Sequence, residues 1–225
     1  MTPPHGAANA SGSARASVWN VPNILTASRI AVVPFIIVLM WYEHRMGWER
    51  AASASPAGPG RWTSFGAAFL YLVAALTDLI DGRIARKTGT QTVLGQLLDP
   101  LADKLLLAAG CIMLIPMQRL PAWIAFVLIG REILVTGLRG IASTRGVVIA
   151  AQELGKRKAT FQAISINLLI LHYRSIGLDV RAIGQVMLVF AVFYTLYSGW
   201  DYCRAFLPGI LEASAQPPTP RPPSG

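Results

Sequence analysis

Apolar residues gather along this chain in long runs instead of recurring at amphipathic spacing, and short polar or Pro/Gly-rich breaks separate the runs. Six runs predict helices: Ile24 to Trp41, Phe65 to Ile80, Leu94 to Met117, Ala122 to Ile141, Ala159 to Tyr173 and Ala182 to Leu207. A helix needs about 20 such residues to cross hydrocarbon. The fifth run is short for that, and Lys156 is its alternative start. Residues Ala51 to Gly60 form a loop rich in Pro, Gly, Ser and Ala, Pro121 opens the fourth run, and Gly177 breaks the chain after the fifth. Trp41, Tyr42, Trp48, Trp62, Trp123 and Tyr173 fall near predicted ends, where amphipathic rings favour the headgroup layer.

Composition agrees. With 53% hydrophobic and 14% charged residues the chain is too apolar for an ordinary soluble domain. The expected fold class is therefore an all-α integral membrane protein, a six-transmembrane-helix bundle spanning 20–207. A disordered segment, 1–19, without a signal-peptide pattern, precedes it, and a Pro-rich tail, 208–225, follows. Cys111 and Cys203 sit inside apolar runs with no metal-ligand spacing and read as packing residues.

The net charge of +9 would raise nucleic-acid binding in a soluble protein; beside a bilayer it sets topology, and no nucleic-acid partner is expected. With the N-terminus inside, the inner side holds Arg15, Arg83, Arg86, Lys87, Arg145, Lys156, Arg157, Lys158, Arg204 and Arg221. The outer side holds Arg45, Arg50, Arg61, Arg119, Arg174 and Arg181. Ten against six favours both termini on the cytoplasmic face of a bacterial-type inner membrane.

Composition does not explain the acids of the second and third runs. Asp78, Asp81, Asp99 and Asp103 lie within or against apolar helices, where each ionised Asp costs roughly 2.5 to 3.5 kcal/mol at mid-membrane. Helical periodicity groups Asp78, Asp81, Gly82, Ala85 and Arg86 on one broad face, and Gly95, Asp99 and Asp103, spaced by four, on one face of the next helix. A short connection around Lys87 to Val93 makes these helices antiparallel neighbours, so the carboxylates can converge. Converging carboxylates need cations, and hard divalent ions shared with substrate phosphates answer that need. Gly82 and Ala85 clear bulk beside the acids, Arg86 adds a cation, and Pro100 should loosen or bend the third helix.

The set Asp78-x2-Asp81-Gly82-x2-Ala85-Arg86-x8-Gly95-x3-Asp99-x3-Asp103 resembles the signature of the CDP-alcohol phosphatidyltransferase family at all eight fixed positions. A chance match over this length is on the order of 10⁻⁸. The resemblance implies a six-transmembrane-helix bundle, a homodimer in the bilayer and a divalent-metal site holding Mg²⁺ or Mn²⁺, two ions in all. Asp78, Asp81, Asp99 and Asp103 would be metal ligands, Asp103 also the general base, and Gly82, Ala85, Arg86 and Gly95 would contact the CDP moiety of CDP-diacylglycerol. Asn23, Thr26 and Arg29 resemble a further nucleotide-side element; capping by Asn23 or Thr26, and snorkelling by Arg29, are the structural alternatives.

Two more stretches bear on the acceptor. Asn20 to Arg29, and Arg131-Glu-Ile133 with Leu138-Arg139 followed by Leu154 to Thr160, resemble the branch of the family that accepts sn-glycerol 3-phosphate, the phosphatidylglycerophosphate synthases. A phosphate-bearing acceptor needs cations, and Arg131, Arg139, Lys156 and Lys158, on the fourth helix and the loop after it, are available. Ala159 interrupts the branch's Lys-x-Lys-Thr run and leaves the part of Thr160 open. An Arg131–Glu132 ion pair is not expected, since adjacent helical residues diverge, and Arg145 and Arg157 read as positive-inside anchors. His5, His44 and His172 carry no site pattern. An ion transporter or a membrane prenyltransferase would also place acids in lipid, but the first would be expected to show inverted repeats and the second two separated acidic motifs.

Overall fold

The computed structural model describes residues 21–47, 59–88, 93–144, 153–175 and 178–215. Within these, it describes the side chains of all but residues 21–23, 59, 78–88, 93–97, 99, 143–144, 153–156, 174–175 and 207–215. Six helices appear among them, one for each apolar run: α1 (Val21–Arg45), α2 (Pro59–Thr88), α3 (Val93–Leu114), α4 (Ala122–Thr144), α5 (Glu153–Leu171) and α6 (Val180–Ala215). The helices outrun most of the apolar segments because polar residues at their ends continue the backbone ladder. Helix α6 passes the Leu207 boundary and reaches Ala215. The expected disordered segment, 1–19, and residues 216–225 of the expected Pro-rich tail lie outside the described residues.

Local chemistry sets the boundaries. Pro121 precedes α4 and its carbonyl accepts the amides of Ile124 and Ala125 at 3.0 and 3.2 Å, so the ring that cannot donate sits where no donor is needed. Helix α5 ends on His172, whose φ of 50° closes the last turn in the left-handed conformation that usually selects Gly. A minimal hairpin follows, β1 (Arg174–Ser175) pairing antiparallel with β2 (Leu178–Asp179). Asp179 then caps α6, its Oδ1 accepting the amide of Ala182 at 3.1 Å. Helix α1 starts at Val21, which puts Thr26 more than a turn inside it and removes the capping reading for that residue.

The core runs through the middle of the bundle. Ile36 and Met40 of α1, Ala67 and Tyr71 of α2, Cys111 and Leu114 of α3, Leu128 of α4 and Ile166 and Leu169 of α5 are buried together. Gly110 is where α3 comes closest to its neighbours: a Cβ there would stand 2.7 Å from Ile166 and 3.1 Å from Tyr71, so a side chain would force α2 and α5 apart. Asn167 of α5 reaches across to donate to the Ala68 carbonyl of α2 at 2.6 Å. Cys111 is buried and Cys203 half-buried, both as free thiols.

The outward faces are apolar. Phe126, Trp62, Trp200 and Val189 are each more than two-thirds exposed, far more apolar surface than a water-facing bundle carries. Among the described residues two stretches, Ile24–Arg45 and Val180–Phe206, are long and apolar enough to cross a membrane. Trp41, Trp62 and Trp123 are exposed, at the α1 C-terminus and at the α2 and α4 N-termini, which share one end of an up-down bundle.

Candidate active site

The eight-position set is divided between the C-terminal turns of α2 and the N-terminal half of α3. Asp78, Asp81, Gly82, Ala85 and Arg86 belong to α2, and Gly95, Asp99 and Asp103 to α3, with Pro100 inside that helix. Only four residues, 89–92, separate the two helices, so the chain doubles back and both halves lie at one end of the bundle. Of the eight positions, Asp103 alone has a described side chain; it is exposed at the rim of a cavity of ≈ 50 Å³. Helices α2 to α5 meet around that cavity, which Tyr71, Glu132, Lys158 and Gln162 also line.

Lys158 supplies its positive charge, and Arg131 adjoins the wall through Glu132. Lys158 is buried on α5 and donates through Nζ to Glu132 Oε1 of α4. Arg131 Nη1 stands 3.4 Å from the same carboxylate oxygen, and Arg131 Nη2 donates to Ser198 Oγ of α6 at 2.5 Å. Gly199 makes room for this reach: a Cβ there would lie 3.3 Å from Arg131 Cγ. Arg131 Nε is buried and finds no acceptor among the described residues. Two cations thus share one carboxylate beside Asp103, with a guanidinium donor to spare.

Several expectations change. The Arg131–Glu132 pair, discounted on backbone divergence, forms because the long arginine side chain bends back along α4; at 3.4 Å it is weaker than the Glu132–Lys158 pair. Glu132 was overlooked as a site residue, although an acid inside an apolar helix calls for a partner by the same reasoning that singled out the aspartates. Lys156 and Lys158, expected in the loop after the fourth helix unless the fifth began at Lys156, lie in the first turns of α5, and the Lys156 side chain lies outside the described residues. Arg139 is exposed and stands 6.0 Å over the ring of Tyr202, away from the cavity wall. Thr26 and Arg29 are buried on α1, so Arg29 does not snorkel. The side chain of Asn23 falls outside the described residues.

The opposite end holds a different cluster. Glu43 accepts from Arg119 Nη2 at 2.6 Å and from the hydroxyl of Ser64, Tyr173 OH lies 3.5 Å away, and Arg119 Nη1 donates to the Ile170 carbonyl at 3.0 Å. A larger cavity, ≈ 330 Å³, opens above it between His44, Gln118, Arg119, His172 and Arg181. Burial, reinforced by the Arg119 and Arg181 cations and opposed by Asp179, pushes the His172 imidazole down to about 4. None of the eight signature positions lies there.

The CDP-alcohol phosphatidyltransferase family model matches residues 19–197. The chain is 39% identical over 190 residues to a Bacillus subtilis protein named CDP-diacylglycerol--glycerol-3-phosphate 3-phosphatidyltransferase, covering 82% of this chain and 94% of that one. It is 32% identical over 189 residues to the Rickettsia typhi protein of the same name, covering 83% and 96%. A Mycobacterium tuberculosis protein named probable phosphatidylglycerophosphate synthase is 34% identical over 196 residues, covering 87% and 86%. With its signature acids divided between α2 and α3 at one end of a six-helix bundle, and with a match that spans most of its length, the chain belongs to the CDP-alcohol phosphatidyltransferase family.

Proposed function

We propose that this chain transfers the phosphatidyl group of CDP-diacylglycerol to sn-glycerol 3-phosphate, forming phosphatidylglycerophosphate and CMP. The relatives' names support the reaction class. The observation that carries the acceptor is the cavity beside Asp103, whose wall holds Lys158 and Glu132, with Arg131 meeting the same Glu132 carboxylate from behind it. An excess cation with unused donors suits a phosphate monoester; inositol or serine would leave it uncompensated.

Asp103 takes the proton of the acceptor hydroxyl. The resulting oxygen attacks the lipid-bearing phosphorus, the bond to the CMP oxygen breaks, and CMP leaves with that electron pair. Lys158 and Arg131 hold the acceptor phosphate and fix the hydroxyl against Asp103, converting an encounter into an oriented attack. Arg86, Gly82, Ala85 and Gly95, with Asn23, Thr26 and Arg29, form the CDP side. Family members depend on divalent metal. Here the donor set is all carboxylate, the chemistry that suits hard cations such as Mg²⁺ or Mn²⁺, and Asp78, Asp81, Asp99 and Asp103 would hold two ions. Bound there, the metal supplies charge neutralisation for the pyrophosphate.

The same reading makes all six helices membrane spans, supported by their exposed apolar faces, with both termini and the Asp103 end cytoplasmic, supported by the Lys/Arg count. It takes the family's homodimer as the assembly. The test is CMP release by the purified protein with CDP-diacylglycerol and Mg²⁺ or Mn²⁺. Release is expected with glycerol 3-phosphate alone; turnover with serine, inositol phosphate or phosphatidylglycerol instead would overturn the acceptor.

A further inference from the structure

Glu132 belongs to none of the eight signature positions, yet three helices are tied together through it and its neighbour. Its carboxylate, on α4, accepts Lys158 of α5 and meets Arg131, which in turn donates to Ser198 of α6. Glu132 lines the same cavity as Asp103. Without it, Lys158 and Arg131 would be like charges confined together in a half-buried place, and each would lower its energy by swinging away. Lysine is the more prone to do so, since its four-carbon stem turns freely about a compact charge.

We propose that Glu132 is a positioning residue for the acceptor: it holds Lys158 and Arg131 side by side, with donors to spare, so that together they receive the phosphate of the incoming alcohol. This rests on the acceptor reading above. Glu132 touches neither the reacting hydroxyl nor the phosphorus, and a carboxylate facing a phosphate directly would repel it. It acts through the two cations. One carboxylate between two cations leaves a positive excess that attracts a phosphate while the pair stays ordered without it. The arrangement also favours a phosphate-bearing alcohol over an uncharged one.

The experiment compares steady-state kinetics of Glu132→Gln, Lys158→Met and the double variant on the full chain, varying glycerol 3-phosphate and CDP-diacylglycerol separately. Glu132→Gln is expected to raise the KM for glycerol 3-phosphate about tenfold or more, the scale of a hydrogen bond to a charged group. Its kcat and its KM for CDP-diacylglycerol should stay within about threefold. Lys158→Met should raise the same KM, and adding Glu132→Gln to it should cost less than the two effects multiplied, because the second change removes a partner already lost. A KM for glycerol 3-phosphate unmoved by Glu132→Gln but raised by Lys158→Met would overturn the role of Glu132 and leave the acceptor site standing. Fully multiplicative effects would also overturn it. If Lys158→Met leaves that KM unchanged, the acceptor reading fails and this inference with it. Glu132→Asp, which keeps the charge and shortens its reach, should fall between wild type and Glu132→Gln, and it carries the test if the amide variant does not fold.

Discussion

Two buried polar clusters occupy opposite ends of this bundle and use similar residues differently. At one end Glu43 and Arg119 pair one to one, both at most 4% exposed, with Ser64 and Tyr173 against the carboxylate and the Ile170 carbonyl accepting from the guanidinium. At the other end Glu132 faces both Lys158 and Arg131, and Glu132 and Lys158 line a cavity rimmed by Asp103. A matched and enclosed ion pair fixes where helices meet, because losing either partner strands a charge. An unmatched one that stays partly open is a place for a ligand to complete. The contrast separates scaffold from site more sharply than burial alone, since Lys158 is nearly as buried as Arg119.

The largest effect expected at the Asp103 end is on turnover. Asp103→Asn should lower kcat by about 10²- to 10⁴-fold, the usual contribution of a positioned general base, with the melting temperature little changed. Single-turnover CMP release and a thermal melt on one preparation would check both halves. At the Glu43 end the effect should be on stability. Arg119→Met should cost about 3 to 5 kcal/mol, as expected for a carboxylate left buried alone, and the pair Glu43→Leu with Arg119→Met should recover most of it. Neither should move the KM for glycerol 3-phosphate in the folded fraction. A shift there would erase the distinction between the ends.

Smaller effects sharpen it. Arg131→Ala should raise the KM for glycerol 3-phosphate by about tenfold, with less change for CDP-diacylglycerol, since one charge-assisted bond is lost. The opposite pattern would move Arg131 to the nucleotide side. At the Glu43 end His172 ordinarily titrates near 6.5 and is held at about 4 by burial beside Arg119 and Arg181, with Asp179 opposing. The folded state therefore resists protonation that the unfolded chain accepts. Stability contributed by neutral His172 is complete above about pH 6.5 and is lost as pH falls toward 4. Melts of wild type and His172→Gln across that window should converge at the acid end if this holds, and run parallel if it does not.

Much of this was legible in the residues. The six helices were, because long apolar runs broken by Pro and Gly leave few other structures in lipid, and so was the division of the signature set between two consecutive helices. Other features were not. Lys156 to Lys158 read equally as loop or as helix start, because charge at a helix start resembles charge in a connection. Arg119 was counted as one of the outer-side loop charges, and its partner Glu43 lies 76 residues away. No local pattern joins such a pair; only the fold does. Glu132 was hidden by a rule about backbone direction that long side chains evade, and Arg139 resembled an acceptor ligand but stands over Tyr202 instead. Sequence spacing locates groups on an element, whereas side-chain reach across elements decides which of them meet.

The central claim is that the Asp103 end performs phosphatidyl transfer to glycerol 3-phosphate while the Glu43 end is scaffold. The most direct measurement reconstitutes the full chain in vesicles containing CDP-diacylglycerol, supplies labelled glycerol 3-phosphate with Mg²⁺, and follows label into the lipid fraction. Wild type and the Glu43→Leu, Arg119→Met pair are expected to make labelled phosphatidylglycerophosphate and release CMP in equal amount, and Asp103→Asn to make almost none. Labelled lipid formed equally well by Asp103→Asn, or CMP released with no label in lipid, would contradict it.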